Sequence, residues 1–177
     1  MGSKAKAIWN AFTTVLVALV VVLAILLAGV RLFGLQVYTV LSGSMEPVYP
    51  VGSLLYVKKV DPSSIEVGDV ITFALSSTAT ATHRVVAVTA DEADPSALCF
   101  QTKGDANDAP DAGLVHEQNV LGEPVFSIPL LGYAAAYIQS PPGSYVALAA
   151  GVILLLLVFL PDVLSRGSKS KGNPRGE

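Results

Sequence analysis

Charge is sparse in this sequence. Only 14% of its 177 residues are Asp, Glu, Lys or Arg, against about a quarter in soluble proteins. Hydrophobic residues make up 52%, and the mean hydropathy is +0.58. Such an apolar excess needs a solvent other than water. Bases are scarce as well: 11 Lys and Arg stand against 14 Asp and Glu, a net charge of -3. No basic stripe is available to neutralise phosphates, which excludes nucleic acid as a partner. A single cysteine, Cys99, excludes an internal disulfide. It lies in the apolar run Ala97-Leu98-Cys99-Phe100 and reads as a small buried hydrophobe. No His/Cys/Asp cluster has metal-ligand spacing, and no glycine-rich loop is built to cradle phosphate. Neither a metal nor another cofactor is expected. Internal repeats are missing too, and the length allows one ordinary domain plus whatever spans a membrane.

Two apolar stretches are present instead. Residues 7–30 carry no charge, and residues 15–28 are apolar throughout. About 20 such residues cross a hydrocarbon core as a helix. A cleavable secretory signal also begins with bases, here Lys4 and Lys6, and continues with an apolar middle. Its apolar region is shorter, however, and ends in small residues, whereas Arg31-Leu32-Phe33 follows here; a retained anchor is favoured. The second stretch runs from about Tyr145 to Leu160, short for a span, with an apolar core helix as the competing reading. Pro141-Pro142 separates it from the apolar residues 128–138, which read as a piece lying at the membrane surface or packed on the domain. Six bases flank the two stretches at the chain ends (Lys4, Lys6, Arg166, Lys169, Lys171, Arg175), against Asp162 and Glu177. Between Leu32 and Gly143 the balance is four bases to twelve acids. Positively charged flanks stay in the cytoplasm. The expected organisation is a cytoplasmic N-terminus (1–7), a transmembrane helix (8–31), an extracytoplasmic β domain (32–140), a second transmembrane helix (141–161) and a disordered cytoplasmic tail (162–177).

The middle region is a series of short runs rich in Val, Ile, Thr, Tyr and Phe: residues 36–41, 53–60, 70–75, 84–89, 99–103 and 120–128. Turn compositions divide them, among them Asp-Pro-Ser-Ser, Ser-Ser-Thr-Ala-Thr and Gly-Asp-Ala-Asn-Asp-Ala-Pro-Asp. A mainly β fold follows, a small curved sheet or barrel flanked by the two membrane helices.

Ser42-Gly43-Ser44-Met45-Glu46-Pro47 places a glycine between two hydroxyls directly after a strand-like run. A serine nucleophile needs an exposed hydroxyl at a turn and a base beside it. Of the two histidines, His83 stands at the start of the run Arg84-Val85-Val86-Ala87-Val88, where a sheet holds an imidazole rigid. His116, beside Glu117, reads as a solvated loop residue. Asp105, Asp108 and Asp111 lie in one loop after a strand, and a carboxylate there can orient the imidazole. Asp91, Glu92 and Asp94 read as a solvated loop, as does Asp108. Lys103 is the alternative base, in a Ser-Lys dyad. Composition alone makes a simple turn the better reading of Ser42-Gly43-Ser44.

The motifs narrow this. Ser-Gly-Ser-Met-Glu-Pro, Val-Gly-Asp-Val-Ile-Thr-Phe, Thr-His-Arg-Val-Val and Lys-Gly-Asp-Ala-Asn-Asp-Ala-Pro-Asp follow one another outside an N-terminal anchor. Gln-Asn-Val-Leu-Gly and Ile-Pro-Leu-Leu-Gly come after them. In this order they resemble the type I signal peptidases, from about Val37 to Gly132. His83, where the common bacterial enzymes have lysine, resembles the archaeal and endoplasmic-reticulum branch. By that resemblance Ser44 is the nucleophile, His83 the general base, Asp111 the aspartate that orients it and Asp105 a second important carboxylate. Ser42 donates its hydroxyl to the oxyanion hole, which the Ser44 backbone N–H completes. Asp108 departs from the pattern as an extra acid and leaves open which aspartate faces His83. The implied reaction is acyl transfer, cutting signal peptides from secretory pre-proteins after small-x-small motifs. An imidazole base implies activity that falls on mild acidification. The implied partners are pre-proteins, membrane lipid and the protein-export channel. The implied location is the plasma membrane, multi-pass with the catalytic side outside, or the endoplasmic reticulum in a eukaryote. Val48, Tyr49, Val51, Leu54 and Leu55 are expected to contact lipid and shape small-residue pockets. The alternative is an inactive membrane-anchored β domain that binds export or surface-assembly partners.

Overall fold

The computed structural model describes residues 3–91 and 94–169. They fall into two compact units, one of residues 27–136 and one built from the two ends of the chain. The expected tail beyond residue 169, and Glu92, lie outside the described residues.

The 27–136 unit is mainly β. Seven strands follow in chain order: β1 (Leu35–Thr39), β2 (Leu54–Lys58), β3 (Val70–Ala74), β4 (Thr80–Ala90), β5 (Leu98–Lys103), β6 (Leu114–His116) and β7 (Val120–Ile128). They form one sheet in the order β1-β2-β7-β3-β4-β5-β6, every neighbouring pair antiparallel. Register shifts at Tyr56/Val57, Thr72/Phe73 and between Val85 and Ala87 interrupt the ladders. Bulges of this kind bend strands and curl a sheet. β7 is the seam: its second half pairs with β2 and its first with β3. At Gly122 φ is +146°, and a Cβ would meet the Lys58 carbonyl oxygen at 2.1 Å. Only glycine allows that approach of β7 to the end of β2.

Two apolar clusters form the core. Ile71 and Phe73 of β3, Val85 of β4, Phe100 of β5 and Val115 of β6 meet Ile65 in one apolar cluster. Leu54 and Tyr56 of β2 turn the other way, onto Val30 and Ala135. Ala135 belongs to α2 (Leu131–Gln139). Residues 128–138, expected at the membrane surface or on the domain, thus contain a helix that packs on the domain through Ala135. Fully burying side chains of this size stabilises by about 1.5–3 kcal/mol each.

The strands expected from the sequence are found with three differences. β4 starts at Thr80, so the run Ser-Ser-Thr-Ala-Thr is only partly a turn. Thr80, Ala81 and Thr82 pair with Ala74, Phe73 and Thr72, and the Thr72 and Thr82 hydroxyls are 2.8 Å apart. His83 is therefore inside β4, opposite Ile71, and not at the start of a strand. β6 was not expected: it is three residues long with only Val115 buried, too little for a periodic signal. Its last residue is His116, read from sequence as a loop position.

The other unit holds α1 (Ser3–Leu27) and α3 (Gly143–Lys169). Within α1, Ala7–Leu27 is long and apolar enough to cross a membrane, with a mean hydropathy of 2.7 and little of it buried. Among the described residues it is the one helix that passes this test unaided. The α3 residues Gly143–Phe159 pass only together with α2, across the break at Ser140-Pro141-Pro142. α3 continues through the expected boundary at residue 161 to Lys169.

Candidate active site

Residues 40–53 leave β1 and return to β2 as a closed turn. Val40 N–H donates to the Ser53 carbonyl and Gly52 N–H to the Val40 carbonyl, both at 2.9 Å. Inside it, Glu46 N–H bonds the Gly43 carbonyl at 3.0 Å and Tyr49 N–H the Met45 carbonyl at 2.9 Å. These bonds hold Ser44 half-buried at the turn and push Met45 into the interior, where it is 2% exposed. Of the apolar residues expected to touch lipid here, Leu54 and Leu55 are fully buried and cannot; Val48 is exposed.

The loop after β5 is locked onto this turn. Ala106 N–H donates to the Ser44 carbonyl at 2.9 Å, and Asp105 N–H points at the Met45 sulfur, 3.4 Å away. Gly104 makes the approach feasible: a Cβ there would lie 2.6 Å from the Ser44 carbonyl oxygen and 2.8 Å from Asn107 Nδ2. Backbone oxygen cannot yield as a flexible side chain does.

His83 projects from the same face of β4 as Ala81 and Val85, by the two-residue period of a strand. Its ring lies edge-on to Phe73 at 6.2 Å and its side chain is 13% exposed. Nε2 is 3.1 Å from Ser44 Oγ, and Nδ1 is 2.6 Å from Asp111 Oδ2. If Nδ1–H donates to the carboxylate, Nε2 is left with a lone pair facing the serine hydroxyl. Asp111 is held by β5: Thr102 Oγ1–H donates to Oδ2 at 2.7 Å, the Asp111 N–H bonds the Thr102 carbonyl at 2.8 Å, and Gln101 Nε2 donates to the Asp111 carbonyl at 2.6 Å. Ser42 Oγ is 3.3 Å from Ser44 Oγ on the exposed side of the turn.

Asp105 does not share this hydrogen-bonded chain. Arg84 clasps it with two bonds, Nε to Oδ1 at 2.8 Å and Nη2 to Oδ2 at 2.6 Å. Arg84 also donates through Nη1 to the Gly68 carbonyl at 2.7 Å. Hydrogen bonds from Arg84 hold the Asp105 carboxyl below its usual range, against the opposing effect of burial. The same bonds raise the guanidinium further. Burial pushes the Tyr49 phenol up, with the charge of Arg84 opposing and that of Asp105 adding. Asp108 is exposed on the loop, and Lys103 pairs with Arg84 across β4 and β5. Of the sequence-derived set, then, Ser42, Ser44, His83 and Asp111 come together, while Asp105 is tied to the neighbour of His83.

Met45, Thr102, Gly104 and the Arg84 clasp went unassigned in the sequence reading. Met45 carried the one available signal, an apolar side chain among the small and polar residues of Ser42-Gly43-Ser44-Met45-Glu46. Thr102 had none, because its partner is nine residues away across a loop.

Two clefts reach the hydroxyl–imidazole pair. One of about 310 Å³ is lined by Ser42 and Ser44 together with Leu55, Ala79, Thr80 and Thr82. Another of about 450 Å³ borders Phe73, His83, Asp111 and Val115. A hydroxyl, an imidazole and a carboxylate in this order are the parts of a nucleophile activated by a general base.

Comparison with known proteins agrees. Residues 12–96 match a family model described as "Signal peptidase, peptidase S26". The chain is 38% identical over 123 residues to Signal peptidase I W of Bacillus subtilis, covering 65% of this chain and 63% of that protein. It is 32% identical over 130 residues to Signal peptidase complex catalytic subunit SEC11C of Rattus norvegicus, covering 68% of this chain and 67% of the relative. The Homo sapiens protein of that name matches to the same extent. With Ser44 and His83 both inside the matched segment, the chain belongs to the signal peptidase family, peptidase S26.

Proposed function

We propose that the chain is a membrane-bound serine endopeptidase, a signal peptidase I that removes N-terminal signal peptides from exported pre-proteins. The observation that carries the assignment of roles is the 3.1 Å approach of His83 Nε2 to Ser44 Oγ, with Asp111 at 2.6 Å behind the ring. Ser44 Oγ attacks the scissile carbonyl and passes its proton to His83. Asp111 accepts the Nδ1–H hydrogen bond and steadies the imidazolium. The carbonyl oxygen, now negative, takes hydrogen bonds from the Ser44 backbone N–H and the Ser42 hydroxyl. His83 then gives its proton to the leaving amine. Water, activated by the same nitrogen, releases the acyl group. Asp105 acts at one remove: clasped by Arg84, it fixes the loop that carries Asp111. The small side chains of Ala79, Thr80 and Thr82 in the 310 Å³ cleft suit a substrate with small residues beside the cut.

Residues 8–31, helical in α1 as far as Leu27, serve as a transmembrane anchor, and residues 141–161, from Gly143 onward in α3, as a second span. The basic ends lie in the cytoplasm, residues 1–7 and 162–177, and residues 32–140 face the extracytoplasmic side. Secretory pre-proteins and membrane lipid are the partners, with the protein-export channel a further one. An inactive binding domain of the same fold has no need of an aligned hydroxyl, imidazole and carboxylate. Purified protein in detergent, given a pre-protein, should create one new N-terminus directly after a small-x-small motif, read by sequencing. Ser44→Ala should abolish the cut, and Ser42→Ala should slow turnover by about 10²–10³, the usual cost of one oxyanion donor. A new terminus formed equally by Ser44→Ala would defeat the proposal.

A further inference from the structure

A second cluster of reactive side chains lies in the same β unit, made of residues that the proposed peptidase chemistry does not use. Asp91 follows the last residue of β4, and its N–H bonds the Ala97 carbonyl at 2.9 Å, closing the β4–β5 connection. Cys99 in β5 pairs with Thr89 on one side and with His116 of β6 on the other. Three adjacent segments therefore bring a carboxylate, a thiol and an imidazole to one place. His116 Nδ1 is 2.6 Å from Asp91 Oδ2 and 3.3 Å from Cys99 Sγ, and Cys99 Sγ is 3.6 Å from the same Asp91 oxygen. Their ligand atoms all lie within 4.8 Å of one another.

We propose that Asp91, Cys99 and His116 form a structural site for a thiophilic divalent cation of the zinc type. Metal–ligand bonds of about 2.0–2.3 Å in tetrahedral array put ligand atoms roughly 3.3–3.6 Å apart. The two separations from sulfur already have that value. The third, 2.6 Å, is a hydrogen bond, and it opens by well under 1 Å when an ion takes the proton's place. A sulfur, a nitrogen and an oxygen donor favour zinc over calcium or magnesium, which want oxygen alone. On binding, the Cys99 thiol releases its proton to solvent, and the His116 proton moves to Nε2 while Nδ1 takes the ion. Thiolate and carboxylate then supply two negative charges against the two positive charges of the cation. Glu117, whose Oε2 accepts from Leu98 N–H at 2.9 Å, adds a second carboxylate nearby while bracing β5. Cys99 is buried, whereas the His116 side chain is 47% exposed, which leaves an entry path and room for a water as fourth ligand.

The consequence is a clamp. β6 is a three-residue edge strand that follows directly on the loop carrying Asp111. An ion held jointly by β5, β6 and the Asp91 loop fastens that strand without touching Ser44 or His83.

The test uses the full chain in detergent, freed of metal and titrated with Co²⁺, then Zn²⁺. We expect a thiolate-to-cobalt charge-transfer band that saturates at one equivalent and is displaced by Zn²⁺, and a Tm raised by several degrees with Zn²⁺ but not with Mg²⁺. Cys99→Ser should remove the band. Because a buried substitution can impair folding, the exposed-side variant His116→Ala, with its circular dichroism checked, should bind at least about tenfold more weakly, the scale seen even for groups outside a ligand set. No saturable band and no Zn²⁺ shift on folded wild-type protein would overturn the site, as would unchanged affinity in His116→Ala or an equal shift with Mg²⁺.

Discussion

Asp105 and Asp111 sit in one loop, six positions apart, yet their surroundings separate them. Asp111 takes the imidazole N–H of His83 and the hydroxyl of Thr102 on a single oxygen. Asp105 is clasped by Arg84, which lowers its carboxyl below the usual range. A carboxylate with a depressed folded-state pKa contributes stability that is present above its unfolded value, about 3.9, and lost as pH falls through the folded value. Asp105→Asn should therefore cost on the order of 1 kcal/mol at pH 7, discounted because the guanidinium is partly solvated. The gap between variant and parent should close as the pH is taken below about 4. Denaturant melts at a series of pH values check this; a gap that stays constant would show that the ion pair adds nothing. Side-chain identities were largely legible in the sequence, since Ser44, His83 and Asp111 stand in ordered motifs. Which aspartate meets His83 was not, because that choice is made by Arg84 and Thr102 from neighbouring strands.

Strands and loops carry the next part of the account. β4 holds His83 because the sheet extends on both sides of it, to Ile71 in β3 and, one residue on, from Arg84 to Lys103 in β5. Thr80 read as the end of the turn run Ser-Ser-Thr-Ala-Thr because threonine serves in turns and strands alike, and Ala81 and Thr82 fell in no expected strand. Pairing with β3 across the short β3–β4 connection makes all three strand. β6 was hidden for a related reason, as one buried valine makes no pattern. The contact between the loop after β5 and the Ser44 turn depends on Gly104. Gly104→Ala must displace the Ser44 peptide or the Asn107 side chain. Overpacking at such a site costs about 1–3 kcal/mol, and a displaced nucleophile loses its alignment with the base. We predict a lower Tm and a kcat reduced at least about tenfold with KM little changed. A Gly104→Ala enzyme with full kcat would mean that the loop does not position Ser44.

Across the full chain, apolar content and function are connected. The long uncharged run of α1 was plain from composition, and the structure gives it as one continuous helix through Leu27. The second stretch is less plain in both readings: prolines 141 and 142 break it, and only the pair of helices around them passes as a span. The proposed topology, with the β domain outside, rests on charge, twelve acids in the middle region against six bases at the ends. In intact cells, with Cys99→Ser as background, a membrane-impermeant maleimide should label Asp108→Cys and leave Asn173→Cys unlabelled until the membrane is opened. The reverse pattern would invert the proposed orientation.

The proposed sharing of one proton between Ser44 and His83 is open to a direct measurement, kcat/KM for pre-protein cleavage by Ser44→Ala, His83→Ala and the double variant in lipid. Groups that act as a unit lose nearly everything singly and nothing more together. We predict losses of at least about 10⁴ for each single variant and the same loss for the double. A His83→Ala enzyme within tenfold of the parent, or losses that multiply in the double variant, would contradict it.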